Sequence, residues 1–148
     1  GANLVRADHL AIELGGRQAL LLHGDTLCTK DTEYQQARNV LRSEAWQSQF
    51  TALPHSERHL QAQALRRRSQ DDSASKAEQI MDVTESAAAT LCEANDVDLI
   101  IHGHTHRPHW HKQPNYERVV LGDWHPQGAY VALYDNAKLT LKHWPFRN

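Results

Sequence analysis

The pattern of apolar and polar residues near the N-terminus predicts a β-hairpin. The two kinds of residue alternate over residues 9–14, a Gly-Gly pair follows, and residues 19–22 form an unbroken apolar run. A Gly-Gly pair between two such runs is a typical hairpin turn. An uninterrupted apolar run suits a strand that is buried on both faces. We therefore expect strands at 9–14 and 18–22, with the second strand ending at His23.

Helical spacing replaces this alternation over residues 31–95. Apolar residues recur there at every third or fourth position, as they do on a helix with one buried face. The first helix carries Tyr34, Ala37, Leu41 and Ala45. The last helix carries Ile80, Val83, Ala87 and Leu91, and it is expected to end near Asn95. The sequence thus predicts a helical insertion between two groups of strands.

Local signals divide this insertion into separate helices. Asp31 or Thr32 can cap the first helix, Pro54 interrupts it, and Ser56 can cap the next one, because short polar side chains at these positions satisfy free backbone amides. The stretch RRRSQDDSASK at 66–76 is polar, and we expect a loop there.

The C-terminal zone returns to β structure. Residues 97–101 predict a short buried strand, and three further strands are expected at 118–122, 129–135 and 138–144, from their β-forming residues. The chain has no repeat, low-complexity segment or clear linker. We therefore expect one α/β domain over residues 1–148, with the helical insertion at about 31–95.

Both predicted buried strands end in a turn that contains histidine. The first reads LLLHGD and the second LIIHGHTH. Turns at the ends of buried strands commonly carry functional side chains, and neutral imidazole is the commonest metal ligand. Glycine permits a sharp turn, so we expect Gly103 to let His104 and His106 face one pocket. The sequence predicts a metal site at this turn.

The neighbouring histidines and the cysteines carry weaker signals. His102 can line the pocket or hydrogen-bond the strand ends, and a surface or aromatic-packing role is expected for His109 and His111. A structural zinc site would need four closed ligands, usually with paired cysteines, and Cys28 and Cys92 have no close cysteine partner in the sequence. Histidine combined with oxygen ligands suits manganese, iron or zinc in an open catalytic site.

Composition narrows the function classes. The net charge of −2 gives no global case for nucleic-acid binding. No apolar run reaches the roughly 18 residues of a membrane span, and the N-terminus lacks the layout of a signal peptide. The two cysteines favour a reducing compartment. We therefore expect a cytoplasmic protein that binds no nucleic acid.

Several motifs together resemble the UDP-2,3-diacylglucosamine hydrolases, calcineurin-like metallophosphoesterases of lipid A synthesis. These motifs are LLLHGDTLCTKD, RRRSQDDSASKAEQIMDV, IHGHTHRP and VVLGDWH. The resemblance implies the C-terminal part of a metallophosphoesterase α/β sandwich, with mixed sheets flanked by helices and a helical lid whose apolar face receives acyl chains. It also implies hydrolysis of the pyrophosphate of UDP-2,3-diacylglucosamine at the α-phosphorus, with manganese, to UMP and 2,3-diacylglucosamine 1-phosphate.

The resemblance assigns metal-binding roles to three histidines. His23 and His106 would bind one manganese ion. His104 would bind the second ion and would also lie beside the substrate phosphate, as the catalytic residue. Asp25 would brace the turn or orient the ligands without binding metal itself.

The resemblance also implies a substrate-binding set. Its members are Asp31, Ser69, Ser73 and Lys76, with His104 beside the phosphate. Ser73 stands where the family often has asparagine. Read without the resemblance, Asp31 is a helix cap, Ser69 a loop residue and Lys76 a solvated helix start.

The resemblance leaves out the family's N-terminal motifs, an Asp-x-His, a Gly-Asp and a Gly-Asn-Arg-Asp, which supply the remaining metal ligands. We therefore expect a partial domain that holds one ion or none and is inactive alone. A missing N-terminal half or self-association would cover the exposed sheet. The alternatives are a non-catalytic half-domain that binds an acylated sugar phosphate, and a metallophosphodiesterase with another substrate.

A lipid-linked nucleotide sugar as substrate raises the question of a membrane. The basic run at 66–68 lies beside apolar helical positions, and such a combination suits an anionic membrane surface. We expect weak peripheral association with the inner membrane from the cytoplasmic side.

Overall fold

The computed structural model describes residues 3–77 and 79–146, without the side chains of residues 73–75. Its elements are, in chain order, β1 (His9–Leu14), β2 (Arg17–Leu22), a short 3-10 helix (Asp25–Leu27), α1 (Thr32–Leu41), α2 (Glu44–Ala52), α3 (His55–Ser75), α4 (Glu85–Asn95), β3 (Leu99–His102), β4 (His109–Lys112), β5 (Glu117–Val120), β6 (Trp124–His125), β7 (Gly128–Asp135) and β8 (Lys138–Pro145). Thr29–Asp82 forms one compact unit, and the described residues on either side of it form the other.

The first sheet has five strands in the order β1-β2-β3-β5-β4. The predicted hairpin is confirmed, since β1 and β2 pair antiparallel with Leu14 opposite Arg17. Gly15 and Gly16 have φ angles of 61° and 86°, as a two-residue type I′ turn requires. The strands β2, β3 and β5 pair in parallel. Their carboxyl ends therefore meet at one edge of the sheet.

Arg17 connects the opposite ends of these three parallel strands. It begins β2, and its guanidinium donates to the Asp98 carboxylate before β3 and to the Glu117 carboxylate at the start of β5, each over 2.7 Å. These contacts lie at the amino ends of the strands, far along the sheet from the histidine turns.

The second sheet contains β6, β7 and β8 and packs on one face of the first sheet. Ala19, Leu99, Ile101 and Val119 from the first sheet form that core, with Ala132, Leu139 and Leu141 of the second sheet packed against it. Alternate residues of β3 face the other side, where Ile100 packs with Ala88 and Cys92 of α4. The mixed α/β architecture expected for part of a metallophosphoesterase sandwich is confirmed.

The helices of Thr29–Asp82 differ from the prediction at two places. The expected first helix is divided into α1 and α2 because Ser43 accepts from the amide of Trp46 and so caps a new helix. The expected loop at 66–76 is instead the continuation of α3. Residues 66–76 contain no glycine or proline, which would interrupt a helix. Arg68 and Asp72 lie one helical turn apart, with 3.9 Å between their charged atoms. A polar helix on the surface can therefore form.

Smaller corrections concern element ends. Ser56 is not an N-cap, since α3 already begins at His55. Ile80 and Val83 precede α4, which begins after Thr84. The strands β4 and β6 were not predicted, and β4 contains the pair His109 and His111. Short strands of this kind depend on a partner strand more than on their own pattern.

Candidate functional site

The carboxyl ends of the parallel strands bring three turns together at one edge of the first sheet. His23 follows β2, His104 lies in the turn after β3, and Asp123 follows β5. The register places Leu22 opposite His102 and His102 opposite Val120, so the strands end at the same level. Functional side chains are often held in this way, on turns that a rigid sheet positions.

His23 and His104 form the closest pair of candidate ligands. The Nε2 atom of His23 lies 3.2 Å from the Nδ1 atom of His104, and the two rings meet at an angle of 71°. The amide of Gly103 donates to the carbonyl of His23 over 3.1 Å, which joins the two turns. Two imidazole nitrogens that bind one tetrahedral zinc ion lie about 3.3 Å apart. The observed separation fits a hydrogen bond and also two ligands of a single metal ion, whereas the resemblance assigns His23 and His104 to different ions.

His106 has a different partner. Its Nδ1 atom lies 3.6 Å from the Asp123 carboxylate, and both side chains are about half exposed. Among the residues that the structure describes, no group of three or more histidine, cysteine or carboxylate side chains is arranged to hold a metal. The site thus offers two pairs of donors, and the set of His23, His104 and His106 stays a prediction.

The residues with a positive φ angle in this turn are not the ones that the sequence suggested. Gly103 has no positive φ, whereas His104 and His106 have φ angles of 62° and 53°. A positive φ does occur at Gly24, at 107°, in the other turn. A Cβ added to Gly24 would lie 2.6 Å from the Nδ1 atom of His102. The glycine of the first turn is therefore required for close packing on His102.

His102 is a buried, neutral histidine. It is 1% exposed, and burial lowers the pKa of its imidazole to about 4. Its Nδ1 atom lies 2.9 Å from the carbonyl of Gly103, and its Nε2 atom lies 3.3 Å from the Arg118 guanidinium.

His109 and His111 form a ring pair on the edge strand β4, with centroids 4.5 Å apart. This last pair matches the expected aromatic-packing role.

Two of the predicted substrate residues contact each other in the helical unit. The carboxylate of Asp31 accepts from the amide of Tyr34 over 3.1 Å and so caps α1. The same oxygen lies 2.7 Å from the Lys76 ammonium, and this hydrogen bond raises the pKa of Lys76. Ser69 is exposed on α3, and the side chain of Ser73 lies outside the described residues. The capping role that the sequence offered for Asp31 is therefore real.

Comparison with known proteins places this chain beside one group of enzymes. No model of a known protein family matches it. The UDP-2,3-diacylglucosamine hydrolase of Cellvibrio japonicus is 49% identical over 132 residues, which are 86% of this chain and 55% of the relative. The chain is a homologue of the UDP-2,3-diacylglucosamine hydrolases. The proteins of that name from Chromohalobacter salexigens and Escherichia coli O157:H7 are 42% and 41% identical, over 99% and 91% of this chain.

This hydrolase homologue spans little more than half the length of the relatives it matches. The matched share of the three relatives is 55%, 61% and 58%, which fits the C-terminal portion expected from the motifs. In the described part of the chain, no helix has the length and apolar character needed to cross a membrane.

The sequence prediction missed Asp123 at this edge of the hydrolase homologue, and also Glu85 and Arg118, which connect to it through His102. Asp123 follows β5 in the motif VVLGDWH, and the strand that precedes it was predicted, so its position after a buried strand was a usable signal. Glu85 and Arg118 are 33 residues apart, and Arg118 Nη2 donates to Glu85 Oε1 over 2.6 Å. No local pattern indicates that contact, because it depends on how α4 packs against β5.

Proposed function

We propose that this chain is part of a metal-dependent hydrolase that cleaves the pyrophosphate of UDP-2,3-diacylglucosamine. The products would be UMP and 2,3-diacylglucosamine 1-phosphate, an intermediate of lipid A synthesis. The observation that carries the proposal is the meeting of His23 and His104 at 3.2 Å, in a homologue of proteins with that name. The metal, when bound, would supply the activated water for attack at the α-phosphorus.

In the strand-containing unit, the chain's own residues would act on the metal and on the phosphate. His23, His104 and His106 would hold manganese, with Asp123 beside His106 at 3.6 Å. His104 would also contact the phosphate. Turnover by this chain alone would be slow, since the described residues offer pairs of ligands and a bridged pair of ions needs more donors.

The helical unit would hold the lipid part of the substrate. Asp31, Ser69, Ser73 and Lys76 would contact its sugar and phosphate groups. Apolar side chains are exposed in this unit, among them Val40 at 58% and Leu60 at 62%. Exposed apolar side chains near a basic run suit acyl chains and an anionic lipid surface. We therefore include weak, peripheral association with the cytoplasmic face of the inner membrane in the proposal.

The test is UMP release from UDP-2,3-diacylglucosamine in the presence of Mn²⁺. We expect little release by the chain alone and a clear increase when the unmatched portion of the Cellvibrio japonicus relative is supplied in trans. His104→Ala should abolish the increase. His125→Ala, at an exposed histidine on β6, is the matched control and should leave it unchanged.

Three outcomes would contradict the proposal. Binding of the acylated substrate without turnover in the complemented assay would favour a non-catalytic half-domain. Faster cleavage of simple phosphodiesters would favour a metallophosphodiesterase of another substrate. UMP release that persists in His104→Ala would remove this residue from the reaction.

A further inference from the structure

The His102 ring lies between the two histidine turns and contacts both. It is packed against Gly24 of the first turn so closely that a methyl group there would lie 2.6 Å from its Nδ1 atom. In the second turn, its Nδ1 atom lies 2.9 Å from the Gly103 carbonyl. The His102 carbonyl also accepts from the Leu121 amide over 2.7 Å. The ring is therefore one of two links between the turns, beside the hydrogen bond from the Gly103 amide to the His23 carbonyl.

The partners of His102 fix its tautomer. A carbonyl can only accept a hydrogen bond, so Nδ1 must carry the proton toward Gly103. A guanidinium can only donate, so Nε2 must accept from Arg118, whose Nη1 atom is 3.3 Å away. Both ring nitrogens then have a partner, and the ring is held at both ends.

Arg118 is in turn held by a carboxylate. It is 2% exposed, and its Nη2 atom donates to Glu85 Oε1 over 2.6 Å. The second Glu85 oxygen accepts from the Tyr116 hydroxyl over 2.5 Å and from Gln113 over 3.2 Å. Burial alone would raise the pKa of Glu85, but the hydrogen bonds from Tyr116 and Arg118 outweigh it and lower the pKa. The carboxylate is thus kept charged toward Arg118.

At this position of the sheet, an ion-paired arginine is less favourable for stability than an apolar residue would be. Burying the Arg118 guanidinium, which is 2% exposed, costs desolvation energy that an apolar residue would avoid, and its partner Glu85 is itself 48% exposed. The next two residues of β5, Val119 and Val120, are apolar. Stability alone therefore gives a weak reason for arginine at 118. The orientation of His102 gives a specific one, because only a donor can bind its Nε2 atom.

We propose that Glu85 and Arg118 are positioning residues for the metal site, acting through the His102 ring. With the ring fixed, the His23 and His104 turns approach until their imidazole nitrogens are 3.2 Å apart. The role toward metal rests on the proposed function, whereas the role in bringing the two histidines together does not.

The experiment compares Arg118→Met with Arg17→Met in the full chain. Both replace an ion-paired arginine by an apolar residue of similar length, but Arg17 lies at the opposite ends of the strands. Nitrogen-15 NMR of the imidazoles reports which ring nitrogens of His23 and His104 carry protons, and Mn²⁺ affinity is measured by electron paramagnetic resonance. Glu85→Gln is a milder third variant, at a side chain that is 48% exposed.

We expect Arg118→Met to change the imidazole nitrogen-15 spectra of His23 and His104 and to weaken Mn²⁺ binding by up to about 10-fold. Loss of a group that is hydrogen-bonded directly to a metal ligand costs about 10–100-fold, and Arg118 reaches the ligands only through His102. Glu85→Gln should act in the same direction to a smaller extent. Arg17→Met should lower the unfolding temperature and leave both site readouts unchanged. If Arg118→Met fails to fold, the comparison of Glu85→Gln with Arg17→Met decides the question.

Unchanged imidazole spectra in Arg118→Met or, where that variant does not fold, in Glu85→Gln would overturn the inference. So would an equal change in Arg17→Met, since the effect would then follow general stability. If the unmodified chain binds no Mn²⁺, the role of Arg118 toward metal is contradicted for this chain, while a dependence of the imidazole spectra on Arg118 would still support its role in bringing the two histidines together. Failure of the proposed function itself is seen in the complemented UMP assay.

Discussion

At the scale of single residues, the histidine turn combines backbone strain with polar side chains. His104 and His106 have φ angles of 62° and 53°, in a region that costs residues with a Cβ about 1–2 kcal/mol each. The contacts of the turn, including the bond from Gly103 to the His23 carbonyl, hold it against this cost. Strain of this kind is found at functional sites, but it also occurs in ordinary turns of this chain, at Asn136 and Ala137 between β7 and β8.

The two contacts of Asp31 can be separated by substitution. Asp31→Ser keeps a side chain that caps α1, whereas Asp31→Ala removes both the cap and the ion pair with Lys76. We expect the free energy of unfolding of the alanine variant to be about 1 kcal/mol lower than that of the serine variant, because a helix cap usually contributes about this much. Urea unfolding followed by circular dichroism measures the difference.

The ion pair adds a dependence on pH. Because Asp31 raises the pKa of Lys76 above 10.5, the pair stabilises the folded state below pH 10.5, and this stabilisation is lost as the pH rises through the folded pKa. The difference between the unmodified chain and Asp31→Ser should therefore be larger at pH 7 than at strongly alkaline pH. A pH-independent difference would mean that the ion pair does not contribute.

At the scale of elements, long-range contacts decide where helices and strands end. The helix α3 continues to Ser75 although its residues from 66 onward are polar. Consecutive residues of a helix are about 100° apart, so the three arginines at 66–68 spread around α3 and all are exposed. The strand β4 exists because it pairs with β5, with His111 opposite Arg118.

The hairpin turn between β1 and β2 offers a matched pair of variants. Both glycines have positive φ, but a Cβ on Gly16 would meet nothing within 4 Å, whereas a Cβ on Gly15 would overlap the Tyr134 hydroxyl. Gly16→Ala should cost about 1–2 kcal/mol of stability from the backbone alone. Gly15→Ala should cost more, because the overlap adds to the same strain.

Thermal and urea unfolding of the two glycine variants test this order. Combining Gly15→Ala with Tyr134→Phe should restore part of the loss, since the ring carbon that carried the hydroxyl would be 3.2 Å from the new Cβ. Equal destabilisation by both glycine variants would contradict the contact between the hairpin turn and β7.

At the scale of the whole molecule, apolar groups remain on the surface of both compact units. The second sheet exposes Trp124 at 71% and Trp144 at 50%, and the helical unit exposes Leu60 at 62%. Contiguous exposed apolar groups commonly mark surfaces that bind other molecules, and Trp124 packs beside Phe146 with ring centroids 5.3 Å apart. In the helical unit the basic run at 66–68 lies on the same helix as Leu60, which leads to a prediction about membranes.

The chain should sediment with vesicles that contain phosphatidylglycerol and not with pure phosphatidylcholine vesicles. Added salt should release it, because salt screens the attraction between exposed charges. Replacing the arginines at 66–68 by glutamine should weaken binding about tenfold or more, since each basic residue near an anionic leaflet contributes about 1 kcal/mol. The control replaces Lys112, Lys138 and Lys142, which are exposed lysines outside the helical unit.

Equal loss of binding in both triple variants would show that only net charge matters. Binding that is insensitive to salt and to all six substitutions would contradict the proposed electrostatic contribution of α3. Neither result bears on the metal site, because UMP release tests that site separately from vesicle binding.

The sequence by itself determined the features that depend on neighbouring residues. The Gly-Gly hairpin, the buried strands β2 and β3, and the histidines at their ends all follow from patterns a few residues long. The cap at Asp31 follows in the same way, from a polar side chain before a helix. The motifs around His23 and His104 also indicated the hydrolase family before any contact was known.

Tertiary structure alone decided which of these features meet. His23 and His104 are 81 residues apart, and they come within 3.2 Å because β2 and β3 pair in parallel and end at the same level. The contact of Glu85 with Arg118 depends in the same way on α4 packing beside β5. A local pattern specifies an element and its buried face, whereas strand register and helix packing follow from the long-range burial of many side chains at once.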